Sequence, residues 1–239
     1  MTAHSITSDW IELSSGLRAW QAQPKDVKSP PGVLIFIEAF GVNTHMRKVA
    51  ERYARAGYAA IIPDIYHGKT VEYGDMDTVL PIIKSLDEKR VMHESAQALD
   101  ALTEAGVRSR PAAVGFCLGG RLAFRAGLEL GDRLSAVVAY YGGGIGPEKD
   151  RFGRPTLIGR AVELGVPTLF NYGGRDGSIT PAEHGRIATA LSEAGKRYVL
   201  SVYPDAGHGF DCNDRESYNE EASAEAWALT QQFLQRHMS

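Results

Sequence analysis

The segment GFCLGG, residues 115 to 120, sets one of only two cysteines in a Gly-x-Cys-x-Gly frame. Small residues on both sides suit a strand that turns sharply into a helix and presents the residue at the turn, and a thiol there can attack an acyl carbon when a base stands beside it. A buried, inert thiol would fit the short motif equally well, because free cysteines are among the most buried residues. Three other segments carry groups that would decide the matter. Glu38 follows the apolar run GVLIFI, Asp176 lies in GGRDGS, and His208 lies in DAGHGF. A histidine in a glycine-flanked loop can act as a base, and a carboxylate can orient it.

Each residue has a competitor. His67, in DIYHGK, also follows an apolar run, and a substrate-pocket or structural role suits it better than that of base. Asp176 competes with a plain Asp-Gly turn, and Asp205 and Asp211 are alternatives that lie too close to His208 in sequence to reach its ring without a cramped loop. A helix starting at Leu118 would favour an anion at the Cys117 sulfur, and its first amide would offer one donor to a developing oxyanion. The amide of Ala39, next to Glu38, is the natural second donor.

The elements that must position these groups alternate. Residues 9 to 21 read as two short strands about a Ser15-Gly16 turn, followed by a proline-rich connection from Pro24 to Pro31. Strands are expected at 32–37, 59–63, 112–116, 134–140, 166–172 and 197–203. Between and after them, helical spacing of apolar residues marks Val42 to Gly57, Asp87 to Glu104, a helix from Leu118, Pro181 to Glu193, and a last helix carrying Ala222, Ala226, Leu229 and Phe233. Apolar strands alternating with amphipathic helices predict a mainly parallel sheet with helices on both faces, preceded by an antiparallel hairpin, in one domain over 1–239. In such a sheet ligands bind at the carboxyl ends of strands, where Glu38, Cys117, Asp176 and His208 all fall. The chain order nucleophile, acid, histidine is that of the α/β-hydrolase triad.

Composition narrows the function classes. A net charge of −3 with no basic stripe argues against nucleic acid as a partner. No secretory leader and no run of about 18 apolar residues is present, so a cytoplasmic protein without membrane spans is expected. Two cysteines form no disulfide framework, and the seven histidines show no metal-ligand spacing, so neither metal nor organic cofactor is expected. The run YYGGGIG, 140 to 146, lacks the following helix of a phosphate loop.

Taken together, the segments IEAFGVN (37–43), PDIYHG (63–68), GFCLGG (115–120), YGGRDGSIT (172–180) and YPDAGHGF (203–210) resemble the dienelactone hydrolases, or carboxymethylenebutenolidases, over nearly the whole chain. The resemblance implies the α/β-hydrolase fold, Cys117 as nucleophile, His208 as base, Asp176 as orienting acid, and Glu38 as a carboxylate meeting the thiol in the resting enzyme. It also implies a small ester or lactone substrate, with an arginine four residues beyond the histidine holding a substrate carboxylate. This chain has Cys212 there, and Arg215 or Arg175 would have to replace that cation from another direction. A second class of reading is a hydrolase fold that binds small molecules or senses oxidants at Cys117 without turnover.

Overall fold

The computed structural model describes residues 3–147 and 150–238. Its centre is an eight-stranded sheet. The chain opens with β1 (Ile6–Glu12) and β2 (Arg18–Pro24), an antiparallel pair whose register runs from Ile6 opposite Pro24 to Glu12 opposite Arg18. The reversal sits at Leu13–Leu17, where Gly16 takes φ +82° and the Leu13 amide donates to the Leu17 carbonyl at 2.8 Å. Trp10 and Trp20, opposite one another, meet edge to face at 5.6 Å. Both strands extend beyond the expected 9–21, and Pro24 closes β2 rather than opening the connection.

Then come β3 (Gly32–Phe36), α1 (Thr44–Arg55), β4 (Ala59–Pro63), α2 (Met76–Ser85), α3 (Glu88–Glu104), β5 (Ala112–Phe116), α4 (Leu118–Glu129), β6 (Ala136–Tyr140), β7 (Thr168–Gly173), α5 (Pro181–Glu193), β8 (Tyr198–Tyr203) and α6 (Glu220–His237). The spatial order is β1-β2-β4-β3-β5-β6-β7-β8, antiparallel as far as β4 and parallel from there on. Every residue of β3 to β7 is buried, the expected state of parallel strands covered on both faces. On one side α1 and α6 touch through Tyr53 and Trp227, whose rings are 4.9 Å apart; α3 and α4 contact each other. Helix starts follow local chemistry. Asn43 caps α1 by accepting from the Met46 amide at 3.0 Å, and Thr180 caps α5, which carries Pro181 in its first turn.

α2 has no counterpart in the sequence reading. Pro81 inside it lacks an amide hydrogen and breaks the usual helix signal, yet Asp75 caps the segment at the Thr78 amide and Val79 and Ile83 bury against the core. Among the described residues no helix is long and apolar enough to cross a membrane.

Candidate active site

Cys117 links β5 to α4 and adopts φ +56°, ψ −116°, a backbone state that side chains rarely tolerate. It persists because its surroundings leave no alternative. The Cys117 amide donates to the Tyr140 carbonyl at 3.0 Å, and the flanking glycines admit backbone contact that nothing larger could. A Cβ on Gly115 would run into the Gly119 carbonyl, one on Gly119 into the Phe36 carbonyl, and one on Gly120 would lie 2.7 Å from Gly142 Cα. The elbow is thus wedged among β3, β5 and the chain leaving β6, and Cys117 itself stays partly exposed.

The loops after β7 and β8 are joined through their backbones. The Gly174 amide donates to the Tyr203 carbonyl at 2.7 Å, and that of Arg175 to the Ala206 carbonyl at 2.9 Å. This junction sets His208 between the other two groups. Its Nε2 lies 3.0 Å from Cys117 Sγ and its Nδ1 2.7 Å from Asp176 Oδ2. Asp176 Oδ1 accepts from the amides of Ser178 at 2.8 Å and Ile179 at 3.2 Å, so the carboxylate is fixed from behind. Burial alone would raise the Asp176 pKa; the His208 hydrogen bond and charge and the two amides outweigh it and hold the group below its ordinary value. Burial alone would likewise lower the His208 pKa, but the Cys117 sulfur and the Asp176 carboxylate push it up to about 10. A proton can pass from sulfur to imidazole here, and the resulting cation has a buried counter-charge.

Glu38, fully buried after β3, accepts from the hydroxyls of Tyr141 at 3.2 Å and Tyr73 at 3.4 Å. The Cys212 thiol donates to the Tyr73 oxygen at 3.3 Å, and its pKa is pushed up to about 11 by burial and by the Glu38 charge. Arg215 brings Nη1 to 3.7 Å from Glu38 Oε1, with its guanidinium over Phe40 and Tyr73. It packs against Gly209, whose φ of +80° and lack of a side chain leave it room beside His208. Cys212 and Arg215 therefore belong to the same cluster as Glu38. Among the described residues Glu38 makes no hydrogen bond to Cys117: the sulfur is engaged by His208 instead of the carboxylate that the resemblance places beside it.

Other expected groups lie elsewhere. His67, at φ +53°, turns its Nε2 to Glu94 at 2.9 Å and makes no bond to Cys117, His208 or Asp176. Asp211 is held by Arg52 and Ser223, and Arg175 pairs with Asp205 at the surface, away from Glu38. The Ala39 and Leu118 amides have no backbone acceptor among the described residues, which leaves both free for a ligand oxygen. Sequence reasoning missed Tyr66, Tyr73, Tyr141 and His45. Tyr141 sits edge-on to His208 with ring centres 5.3 Å apart, and Tyr66 keeps a buried hydroxyl without a partner. Only their positions just after β4, β6 and Glu38 could have marked them, since an aromatic residue in an apolar context reads as core.

A mainly parallel sheet with a strained residue at the β5–α4 turn, and carboxylate and imidazole on later strand-end loops, defines an α/β-hydrolase fold. The chain belongs to the dienelactone hydrolase family, whose family model matches residues 17–238. It is 33% identical over 227 residues to the Yersinia pestis protein named "Putative carboxymethylenebutenolidase", covering 92% of this chain and 84% of that one. It is 26% identical over 245 residues to the Bradyrhizobium "Probable 2-oxo-3-(5-oxofuran-2-ylidene)propanoate lactonase", covering 100% of this chain and 98% of that one. The crystal structure of a "Putative Dienelactone Hydrolase" from Klebsiella pneumoniae subsp. pneumoniae superposes with a TM-score of 0.87 at 30% identity, covering 97% of this chain and 98% of that one.

Proposed function

We propose that this chain hydrolyses small activated esters or enol lactones through a Cys117–His208–Asp176 triad and a thioester intermediate. The observation that carries the reading is the unbroken chain of contacts from Cys117 Sγ through His208 to Asp176, at 3.0 and 2.7 Å. Cys117 attacks the acyl carbon as a thiolate, its proton residing on His208, and the carbonyl oxygen takes up the developing charge between the amides of Ala39 and Leu118. The tetrahedral intermediate then expels either the thiolate or the alcohol. Thiolate is the better leaving group against an ordinary alkoxide, so an alkyl ester mostly returns to substrate. An enolate or phenolate competes, and it leaves with the proton from His208. Water, giving a proton back to His208, opens the thioester to acid and thiol.

The substrate class draws support from the relatives' names, one of which specifies a lactone with an exocyclic double bond and a carboxylate. Arg215, half-buried beside Glu38 and with Nη1 lacking a hydrogen-bond partner, is the cation available to such a carboxylate. Cys212, where the resemblance implies an arginine, is buried against Tyr73 and supplies no positive charge. The direct test is turnover of a panel of enol lactones, aryl esters and alkyl esters by the wild type and Cys117→Ala. Many turnovers on the first two classes, little on alkyl esters and none by the variant is the expected result. Acylation that stops at one equivalent per chain would show a thiol that is modified rather than catalytic.

A further inference from the structure

Glu38, His45 and Cys212 come from three separate segments, and all three are buried. A carboxylate oxygen, a ring nitrogen and the Cys212 sulfur lie within 4.8 Å of one another, the one such group among the described residues. His45 is 4% exposed, and its Nε2 is buried without a hydrogen-bond partner. A buried ring nitrogen in that state forfeits hydration with nothing in return, unless something else supplies a partner. We propose that Glu38, His45 and Cys212 form a binding site for a thiolate-accepting divalent cation of the zinc class. This site lies beyond the hydrolytic reading and does not depend on it.

The donor set argues for the class of ion. One oxygen, one imidazole nitrogen and one thiolate match zinc, cobalt(II) and their neighbours, whereas magnesium and calcium require oxygen. Bonds of about 2.0–2.3 Å in a tetrahedron set ligand atoms roughly 3.5 Å apart, so the three groups need to close by about an ångström. Outer contacts are already in place: the Tyr141 and Tyr73 hydroxyls hold Glu38, and Tyr73 also faces the Cys212 sulfur. Such contacts orient metal ligands. Binding exchanges the Cys212 S–H bond for a metal–sulfur bond, and the proton goes to solvent. Arg215 is the opposing charge, so the cation and the Arg215 guanidinium compete for Glu38. His45 also borders an open surface cavity of about 150 Å³, so one of the three ligands stands at the edge of a solvent-filled space. Linear spacing conceals the site, because its ligands stand at 38, 45 and 212.

Cobalt(II) is the probe, used on folded Cys117→Ala protein. Removing Cys117 leaves Cys212 as the only thiol, so any thiolate-to-cobalt charge-transfer band must arise there. The expected titration gives one ion per chain, a near-ultraviolet charge-transfer band, intense visible bands of tetrahedral cobalt, and one proton released per ion. Adding Cys212→Ser should abolish the charge-transfer band, and adding His45→Gln should weaken affinity by about a hundredfold or more. Arg215→Gln should tighten it by removing the competing cation. Circular dichroism identifies any variant that fails to fold, and His45→Gln and Cys212→Ser serve as independent removals of a ligand. No charge-transfer band in Cys117→Ala, or affinity indifferent to His45→Gln, overturns the site.

Discussion

At the scale of single residues, the contacts of His208 predict both activity and stability. Cys117→Ala should lose turnover entirely without loss of folded protein, whereas Cys117→Ser should keep little, since an alkoxide needs a stronger base. Asp176→Asn keeps the two amide contacts but no longer accepts the Nδ1 proton, so a fall of about 10²–10⁴ in kcat is expected in a steady-state assay. Linkage gives a separate reading. The His208 pKa stands at about 10 in the folded chain, against about 6.5 unfolded. The folded state therefore holds the proton more tightly. This contribution to stability is complete below about pH 6.5 and is lost as pH rises towards 10. Urea unfolding at pH 6, 8 and 10 should show wild type losing its margin over His208→Gln; a constant difference would contradict the ion pair. Arg215→Ala should raise KM for a carboxylate-bearing lactone at least tenfold, a loss of about 1.4 kcal/mol. A neutral aryl ester should barely change, and equal losses on both would place Arg215 outside the acid-binding pocket.

Elements hold these residues in register, and one glycine shows how narrowly. Gly119, in the first turn of α4, has the Phe36 and Ile37 carbonyls of the neighbouring strand end where a side chain would project, the latter 2.6 Å from a built Cβ. Neither backbone can yield without moving α4 off β3, so Gly119→Ala should cost about 3 kcal/mol or more by chemical denaturation. A stability within about 0.5 kcal/mol of wild type would show that the elbow can relax. The same geometry explains what was legible beforehand. Continuous apolar runs such as AAVGF and GVLIF can only be buried strands or helix fragments, and their length and flanks decide for strands. Cys117, Asp176 and His208 stood out because each follows such a run in a glycine-marked loop. α2 did not, since Pro81 hides its period, and neither did the Tyr73, Tyr141 and His45 environment of Glu38. Those contacts join segments about 7 to 170 residues apart and exist only once α1 and the segments after β3, β4, β6 and β8 have met. The preference of Glu38 for tyrosine hydroxyls over Cys117 is likewise a matter of side-chain direction, which spacing does not encode.

Across the whole molecule, a buried charge cluster ties α3, α4 and the chain after β6 beneath the elbow. Glu88 accepts from Arg121 at 2.8 Å, from Arg125 at 2.5 Å and from Arg154 at 3.0 Å, while Arg121 also donates to the Gly144 carbonyl. Arg121 is 1% exposed, so removing its partner strands a buried cation. Glu88→Ala should therefore destabilise the fold by about 3–5 kcal/mol. Burial would raise the Glu88 pKa, but Arg121 and its companions outweigh it and lower the value. That stabilisation is present above the unfolded pKa of about 4.3 and is lost as pH falls through the depressed folded value. The gap between wild type and Glu88→Gln in a denaturant series should shrink from pH 7 to pH 3, and an unchanged gap would remove the charge from the account. The distance along the chain between Cys117 and His208 also governs the protein's first moments. Ninety-one residues separate the sulfur from the imidazole it touches. At a ribosomal pace of about 5–20 residues per second, the thiol leaves the ribosome roughly 5–20 s before its histidine does. During that interval the nascent chain carries Cys117 as an ordinary thiol without the histidine that takes its proton, so peroxide that reaches polysomes should oxidise this cysteine more slowly than it does in the finished protein.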